Sequence, residues 1–235
     1  MANASIIEIF SSIQGEGLYA GRLHVFVRFA GCDLNCAFCD TPEARDEAAG
    51  TPMSVKQLIT AIEQEQDGLH HMVSLTGGEP LTHSSFLSDF LKTCRRDGRV
   101  NIPYLLETNG ALPQELEKII AYVDVISMDI KLPGVYGGPE LWYEHAEFLK
   151  IAAIKEVCVK VPVDSGMPVG EFMQAVDLVS SLNANIPFFI QPIVAKDNTS
   201  PRLTGAELLE YARAAAQKLT RVSVMPQLNK ILKLK

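Results

Sequence analysis

Apolar runs rich in β-branched residues alternate along this chain with stretches whose apolar positions recur every three or four residues. The first kind predicts strands at 24–30, 71–76, 103–107, 123–130, 156–163, 187–191 and 222–225. The second predicts helices at 54–66, 84–96, 113–122, 139–154, 168–182 and 204–219. Start signals support several of these. Ser54 and Ser84 stand where a cap is needed, and Pro113 and Pro168 fall near a first turn, where a missing N–H costs nothing. Strand then helix, repeated about six times, makes parallel strands joined by right-handed crossovers. A closed eightfold barrel takes about 250 residues. With 235 residues and an addition before the first of these strands, the chain suits an α/β fold of partial, open TIM-like (β/α)6 type. No linker, repeat or low-complexity run breaks the pattern. One domain is expected over 1–235, with an N-terminal extension at about 1–22 and a C-terminal tail at about 225–235. In such folds chemistry gathers at the C-terminal ends of the strands.

Composition narrows the partners. At 47% hydrophobic and 21% charged, the chain can bury a core, which rules out disorder. Lys and Arg number 21 against 28 Asp and Glu, a net charge of −7, so nucleic acid is not expected as a main partner. No apolar run approaches the roughly 18 residues of a spanning helix, and no membrane association is expected. The first residues lack a basic start and carry Glu8, which does not read as a secretory signal. Five cysteines, three of them crowded within eight residues, argue against a disulfide framework. They point to a cytoplasmic, reducing compartment and a metal or thiol site.

That crowd is Gly31-Cys32-Asp33-Leu34-Asn35-Cys36-Ala37-Phe38-Cys39-Asp40, directly after a predicted strand. Soft thiolates select iron–sulfur clusters, zinc or Cu(I). A closed zinc site needs four ligands, and no fourth Cys or His lies nearby. A 4Fe–4S cubane on Cys32, Cys36 and Cys39 would leave one iron open to substrate or cofactor; a zinc site completed by a distant His is the alternative. Cys94 and Cys158 lie in apolar patterns and read as small buried hydrophobes. At the end of the next strand, Thr76-Gly77-Gly78-Glu79-Pro80 offers glycines that allow close backbone approach to a ligand. Its carbonyls and the Glu79 carboxylate can accept from an ammonium group. Further strand ends read Leu106-Glu107-Thr108-Asn109-Gly110, Met128-Asp129-Ile130-Lys131 and Phe189-Ile190-Gln191-Pro192. Singly each is a polar loop; together they converge on one mouth.

The C-x3-C-x2-C spacing with Phe38 before the last cysteine resembles the radical S-adenosylmethionine superfamily. Within it, the chain is similar to the 7-carboxy-7-deazaguanine synthase family. The likeness runs from Gln14-Gly15-Glu16-Gly17 through Arg28 and Asp40-Thr41 to the tail Met225-Pro226-Gln227-Leu228-Asn229-Lys230. The resemblance implies that the open iron chelates S-adenosylmethionine, whose reductive cleavage yields a 5′-deoxyadenosyl radical. Hydrogen abstraction at C6 of 6-carboxy-5,6,7,8-tetrahydropterin, ring contraction and loss of ammonia would follow, with S-adenosylmethionine regenerated. It implies a cofactor site of Phe38, Cys39, Asp40, Gly77, Gly78, Glu79, Asp129, Ile130, Lys131, Gln191, Pro192, Ile193 and Val194. The implied substrate site is Ile13, Gln14, Gly15, Glu16, Arg28 and Thr76, and Mg2+ would sit at Thr41. A homodimer and an electron donor such as flavodoxin are also implied. Asn229 departs from the family, whose tail often has His there. Two other readings share the cluster: an activase of a glycyl-radical enzyme, and a non-catalytic iron–sulfur protein. The first leaves the Gln14–Gly17 element unexplained. The second normally takes four thiolates.

Overall fold

The computed structural model describes residues 3–194 and 202–234. Among them, nine strands form one mixed sheet in the order β3-β1-β2-β4-β5-β6-β7-β8-β9. The strands are β1 Ala4–Ile13, β2 Leu23–Phe29, β3 Thr51–Met53, β4 Met72–Gly77, β5 Tyr104–Thr108, β6 Val125–Asp129, β7 Glu156–Val163, β8 Phe188–Pro192 and β9 Val222–Val224. From β2 through β9, leaving β3 aside, neighbours run parallel, as the alternation predicts. The predicted 24–30, 103–107 and 187–191 each lie within a residue of the strand observed.

The structure corrects the reading of the first residues. They are not only an extension: β1 pairs antiparallel with β2 along Ile6–Ile13 and with the short β3. The physical reason is that Ile6, Phe10 and their neighbours find a strand edge to pair with, a long-range opportunity that local pattern does not encode. Two predicted helices are shorter. The 113–122 stretch is helical only over α3, Pro113–Glu117. The 139–154 stretch is helical only over α5, Trp142–Ala152, and a short unpredicted helix, α4, Pro133–Tyr136, precedes it. Gly137, in the left-handed region at φ 81°, ends α4 as a glycine cap. The other helices are α1 Val55–Glu65, α2 Ser84–Asp97, α6 Val169–Asn183, α7 Gly205–Ala216 and α8 Leu228–Leu232. Ser54 caps α1 in a capping box with Gln57, but α2 is entered through a tight turn at Pro80–His83, so Ser84 is its first residue and not its cap. None of these helices is long and apolar enough to cross a membrane.

Alternation along the strands sorts the side chains. On one face Val25, Val27, Phe29, Val73, Leu75, Leu106, Ile126, Val159, Val161 and Ile190 pack against Leu58, Ile62, Phe86, Phe90, Phe148 and Phe172 of the helices. The other face has an apolar base, where Met72, Leu105 and Val125 meet Tyr19, and carries Phe26 and Phe189 towards its two sides. Above that layer it turns polar: Ser74, Thr76, Glu107, Ser127, Asp129, Lys160 and Gln191 follow along β4 to β8. Cys94 and Cys158 are buried, as expected of small hydrophobes.

Candidate functional site

The three crowded cysteines lie on the loop after β2, each half-buried. Main-chain bonds shape that loop. Gly31 N donates to Ala44 O (2.9 Å), Cys32 N to Arg45 O (3.2 Å) and Ala37 N to Tyr136 O (2.9 Å). From the side, Asn109 Nδ2 donates to Asp33 Oδ1 at 2.8 Å. Burial pushes the Cys32 thiol up to about 12 and raises Cys36 as well, partly offset at Cys36 by the Lys131 ammonium. Without metal these thiols keep their protons, and iron would replace them. Among the described residues, no three His, Cys, Asp or Glu groups converge as ligands of one ion. A cubane asks something different, since each thiolate would bind its own iron. Three soft, half-buried donors on one loop with no fourth beside them fit that group. Lys131 lies over the Phe38 ring (5.3 Å) beside them.

The next loop explains its glycines differently from the sequence reading. A Cβ on Gly78 would lie 2.1 Å from Gly31 O and 2.6 Å from Ala44 O, and one on Gly77 would lie 2.2 Å from Phe29 O. The close approach is first to the cysteine loop's own backbone. Glu79 is likewise engaged: fully buried, it accepts from Thr108 Oγ1 (2.9 Å), Asn109 N (2.7 Å) and Leu81 N (3.1 Å). Burial lifts its carboxyl to about 7 against those three bonds. Its side chain therefore ties the β4 end to the β5 end.

At the barrel mouth the chain's two ends meet. Glu16 Oε1 accepts from Gln227 Nε2 (2.6 Å) and Gln191 Nε2 (3.2 Å), and its Oε2 from the Lys160 ammonium. Gln227 also donates to Asp40 Oδ2 (3.0 Å), which has Lys230 at 3.7 Å. Lys160, only 5% exposed, stands 3.2 Å from Asp129 Oδ1, while Asp129 Oδ2 accepts from Lys131 at 2.7 Å. Burial alone would raise Asp129, but the two lysines outweigh it and hold the carboxyl below its usual range. Lys160 is correspondingly held protonated by Asp129, Glu16 and Glu107 against its own burial.

Gln14 is spent inside the protein. Its Nε2 donates to Glu107 Oε1 (2.5 Å) and Ser74 Oγ (3.3 Å), and its Oε1 accepts from Glu16 N (3.1 Å). Glu107 accepts from Thr76 Oγ1 as well (3.0 Å), and its carboxyl is raised by burial. Arg28 donates to Glu8 at 2.9 Å and lies over the Phe10 ring at 5.6 Å. Gly15 touches the tail: a Cβ there would stand 2.5 Å from Asn229 Oδ1. Ile13 ends β1, and Thr41, half-buried, opens the turn Pro42–Arg45. Ile130 N donates to Lys160 O and Ile193 N to Val163 O, both 2.9 Å, so the β6 and β8 ends are fixed by β7. Pro192 is buried, Val194 half-buried. The structure thus brings the β1, β4, β6, β7 and β8 ends and the tail to one mouth, with the cysteine loop joined to it through Asp40 and Asn109.

Sequence reasoning missed Lys160, His24 and Ser74. Lys160 had a signal: a lone cation at an inner position of the run Val157-Cys158-Val159-Lys160-Val161. His24, fully buried with Nδ1 2.8 Å from Ser74 Oγ, had none.

Comparison with known proteins follows this geometry. Residues 26–136 match the model of the Radical SAM superfamily. The chain is 33% identical to 7-carboxy-7-deazaguanine synthase of Geobacter sulfurreducens, over 97% of this chain and 97% of that one. It is 30% identical to the protein of that name from Clostridium acetobutylicum, over 98% and 96%. Against the one from Methanothermobacter thermautotrophicus the identity is 46%, over 56% of this chain and 51% of the relative. The fold is similar to the crystal structure of QueE from Escherichia coli, with a TM-score of 0.63 at 21% identity, covering 95% and 94% of the two chains.

Proposed function

The chain belongs to the 7-carboxy-7-deazaguanine synthase family of the radical S-adenosylmethionine superfamily, and we propose on that premise that it converts 6-carboxy-5,6,7,8-tetrahydropterin to 7-carboxy-7-deazaguanine, expelling ammonia. It is a radical S-adenosylmethionine lyase of deazapurine biosynthesis. One observation carries the substrate reading: the polar mouth, walled by Glu16, Glu107 and Asp129, adjoins the three-cysteine loop directly. When bound, a 4Fe–4S cluster on Cys32, Cys36 and Cys39 together with S-adenosylmethionine supplies the one-electron chemistry that starts hydrogen abstraction.

The chain's own residues do the rest. A pterin edge is rich in N–H donors, and the Glu16 carboxylate, held by Gln191, Gln227 and Lys160, is a fixed acceptor for it. Gln14 serves that acceptor by holding the Glu16 backbone and by orienting Glu107. Arg28 presents a guanidinium suited to a carboxylate, and its Glu8 partner sets its direction. Asp129, Lys131, Gln191 and the strand-end backbone at Ile130 and Pro192–Val194 form the cofactor side, with Gly77 and Gly78 keeping the loops close. Thr41, beside Asp40, is the proposed Mg2+ ligand, because a hard ion that keeps its waters needs few protein groups. The low-dielectric floor of Met72, Leu105 and Val125 keeps water from below. A flavodoxin-like electron donor, a homodimer and a cytoplasmic location complete the proposal; the crowded thiols support a reducing compartment.

The test is an anaerobic assay of reconstituted protein with the carboxypterin, S-adenosylmethionine, Mg2+ and a reductant, the product identified by mass. We expect 7-carboxy-7-deazaguanine. S-adenosylmethionine cleavage that occurs only when a partner protein is supplied would overturn the reading in favour of an activase.

A further inference from the structure

Lys160 is a buried cation that the reading above uses only as one of three groups holding Glu16. It sits on β7 in register with Asp129 of β6, with β8 on its other side. From there its ammonium reaches Glu16, which comes from the opposite end of the sheet and 144 positions away in sequence. Three carboxylates therefore face one lysine: Glu16, Asp129 and Glu107. Among the described residues only Asp129 of these three has a second cation, Lys131. Asp129 Oδ1 is buried and, although 3.2 Å from the Lys160 ammonium, accepts no hydrogen bond among the described residues. Its pairing with Lys160 is thus a charge contact and not a well-directed hydrogen bond.

We propose that Lys160 is a positioning residue that couples the cofactor and substrate subsites, by serving as the shared counter-ion of Asp129 on one side and Glu16 on the other. This rests on the functional reading above, which assigns those two carboxylates to the two ligands. The argument is one of shared demand. S-adenosylmethionine carries hydroxyl, amino and ammonium donors. Whatever donor it brings to Asp129 relieves that carboxylate's claim on Lys160. The ammonium then belongs to Glu16, whose position and charge it fixes before the pterin arrives. Coupling is therefore positive, and linkage makes it reciprocal: each ligand tightens the other by the same factor.

The experiment measures that factor on anaerobic, cluster-reconstituted protein kept oxidised, so that no turnover occurs. Calorimetry gives the S-adenosylmethionine dissociation constant with and without the carboxypterin, and the converse. We expect about tenfold mutual tightening in the parent, within the usual range for coupled sites. In Lys160→Met both single affinities weaken and the factor falls to near one. In Lys160→Arg, which keeps the charge, it recovers to within about threefold of the parent. A merely structural role would weaken single affinities and leave the factor unchanged. A parent that binds both ligands with no mutual effect, or a Met variant with the parent's factor, overturns the inference while leaving the functional reading intact. A parent that does not bind the pterin overturns both. Iron content checks the fold of the Met variant. If it fails that check, Asp129→Asn decides: with Lys160 still on Glu16, the factor must fall to about two or less, and an unchanged factor overturns the inference.

Discussion

Gly78→Ala adds one methyl group at the tightest point of the molecule. The added Cβ would lie 2.1 Å from Gly31 O, 2.6 Å from Ala44 O and 2.7 Å from Gly31 C, where ordinary contact begins at 3.4 Å. All three are main-chain atoms, so no side chain can turn aside to make room. The glycine loop and the cysteine loop must part by more than an ångström. That displacement breaks or stretches the bonds that hold the glycine loop to β2 and the segment after it, Glu79 N to Gly31 O (2.8 Å) and Gly78 N to Phe29 O (3.0 Å). Overpacking costs about 1–3 kcal/mol and each lost bond about 1 kcal/mol, which gives a loss of roughly 2–5 kcal/mol. At about 2–4 °C per kcal/mol for a chain of this size, the unfolding midpoint should drop by roughly 4–20 °C. Gly170, in the first turn of α6 with nothing within 4 Å, is the control: its change to Ala should be neutral or slightly stabilising. The assay is thermal unfolding of the metal-free proteins by circular dichroism, followed by iron content after anaerobic reconstitution. If Gly78→Ala melts within 2 °C of the parent and retains the same iron, the two loops are not packed as described and the reasoning fails.

Two further outcomes are expected. Changing Cys32, Cys36 or Cys39 to Ala should abolish the cluster's absorbance, whereas Cys94→Ala and Cys158→Ala should keep the parent's iron; an equal loss in Cys94→Ala would show the ligand set to be wrong. His24 is pushed down to about 4, by burial first and then by His71 and His70, so the unfolded chain binds the extra proton and stability drains away as pH falls from about 6.5 towards 4. Glu79, lifted to about 7, tilts the other way between about 4.5 and 7, so the difference between parent and His24→Gln isolates the histidine. Urea unfolding at pH 5 and pH 7 should show a smaller pH penalty in the variant, by up to about 1.4 kcal/mol per pH unit, and identical pH profiles would refute the assignment.

How much of this was legible in the residues depends on range. The β2–β8 succession was, because parallel strands covered by helices read as apolar runs separated by amphipathic stretches. So were the thiols, since metal-ligand spacing is local. β3 was not: three residues with Pro52 at the centre carry no strand pattern, and the segment pairs only because β1 offers it an edge. Nor was the break at Gly137, which falls inside what reads as a loop before a single helix. Lys160 was visible as an oddity, a cation in a buried strand, but its partner Glu16 was not deducible, since nothing local links positions 144 apart. The same holds for Gln14. Its sequence neighbours suggest a ligand contact, and only the fold reveals that Glu107, Ser74 and the Glu16 backbone already occupy its amide.

The meeting of Glu16 with Gln227 has a mechanical consequence. Neighbouring strands are stitched to one another along their whole register, but nothing of that kind joins the segment after β1 to the segment after β9. Among the described residues that seam is spanned by one main-chain bond, Leu228 N to Gly15 O at 3.1 Å, and by side chains gathered on Glu16, with Asp40 holding the tail beside it. Structures open first where their cooperative bonding is thinnest. The barrel therefore behaves as a cuff with a single clasp. Opening that clasp asks only that a few contacts at the seam be unfastened, with every strand ladder intact. On the proposed reading Glu16 is both clasp and grip, so that the substrate it holds also helps to fasten the cuff.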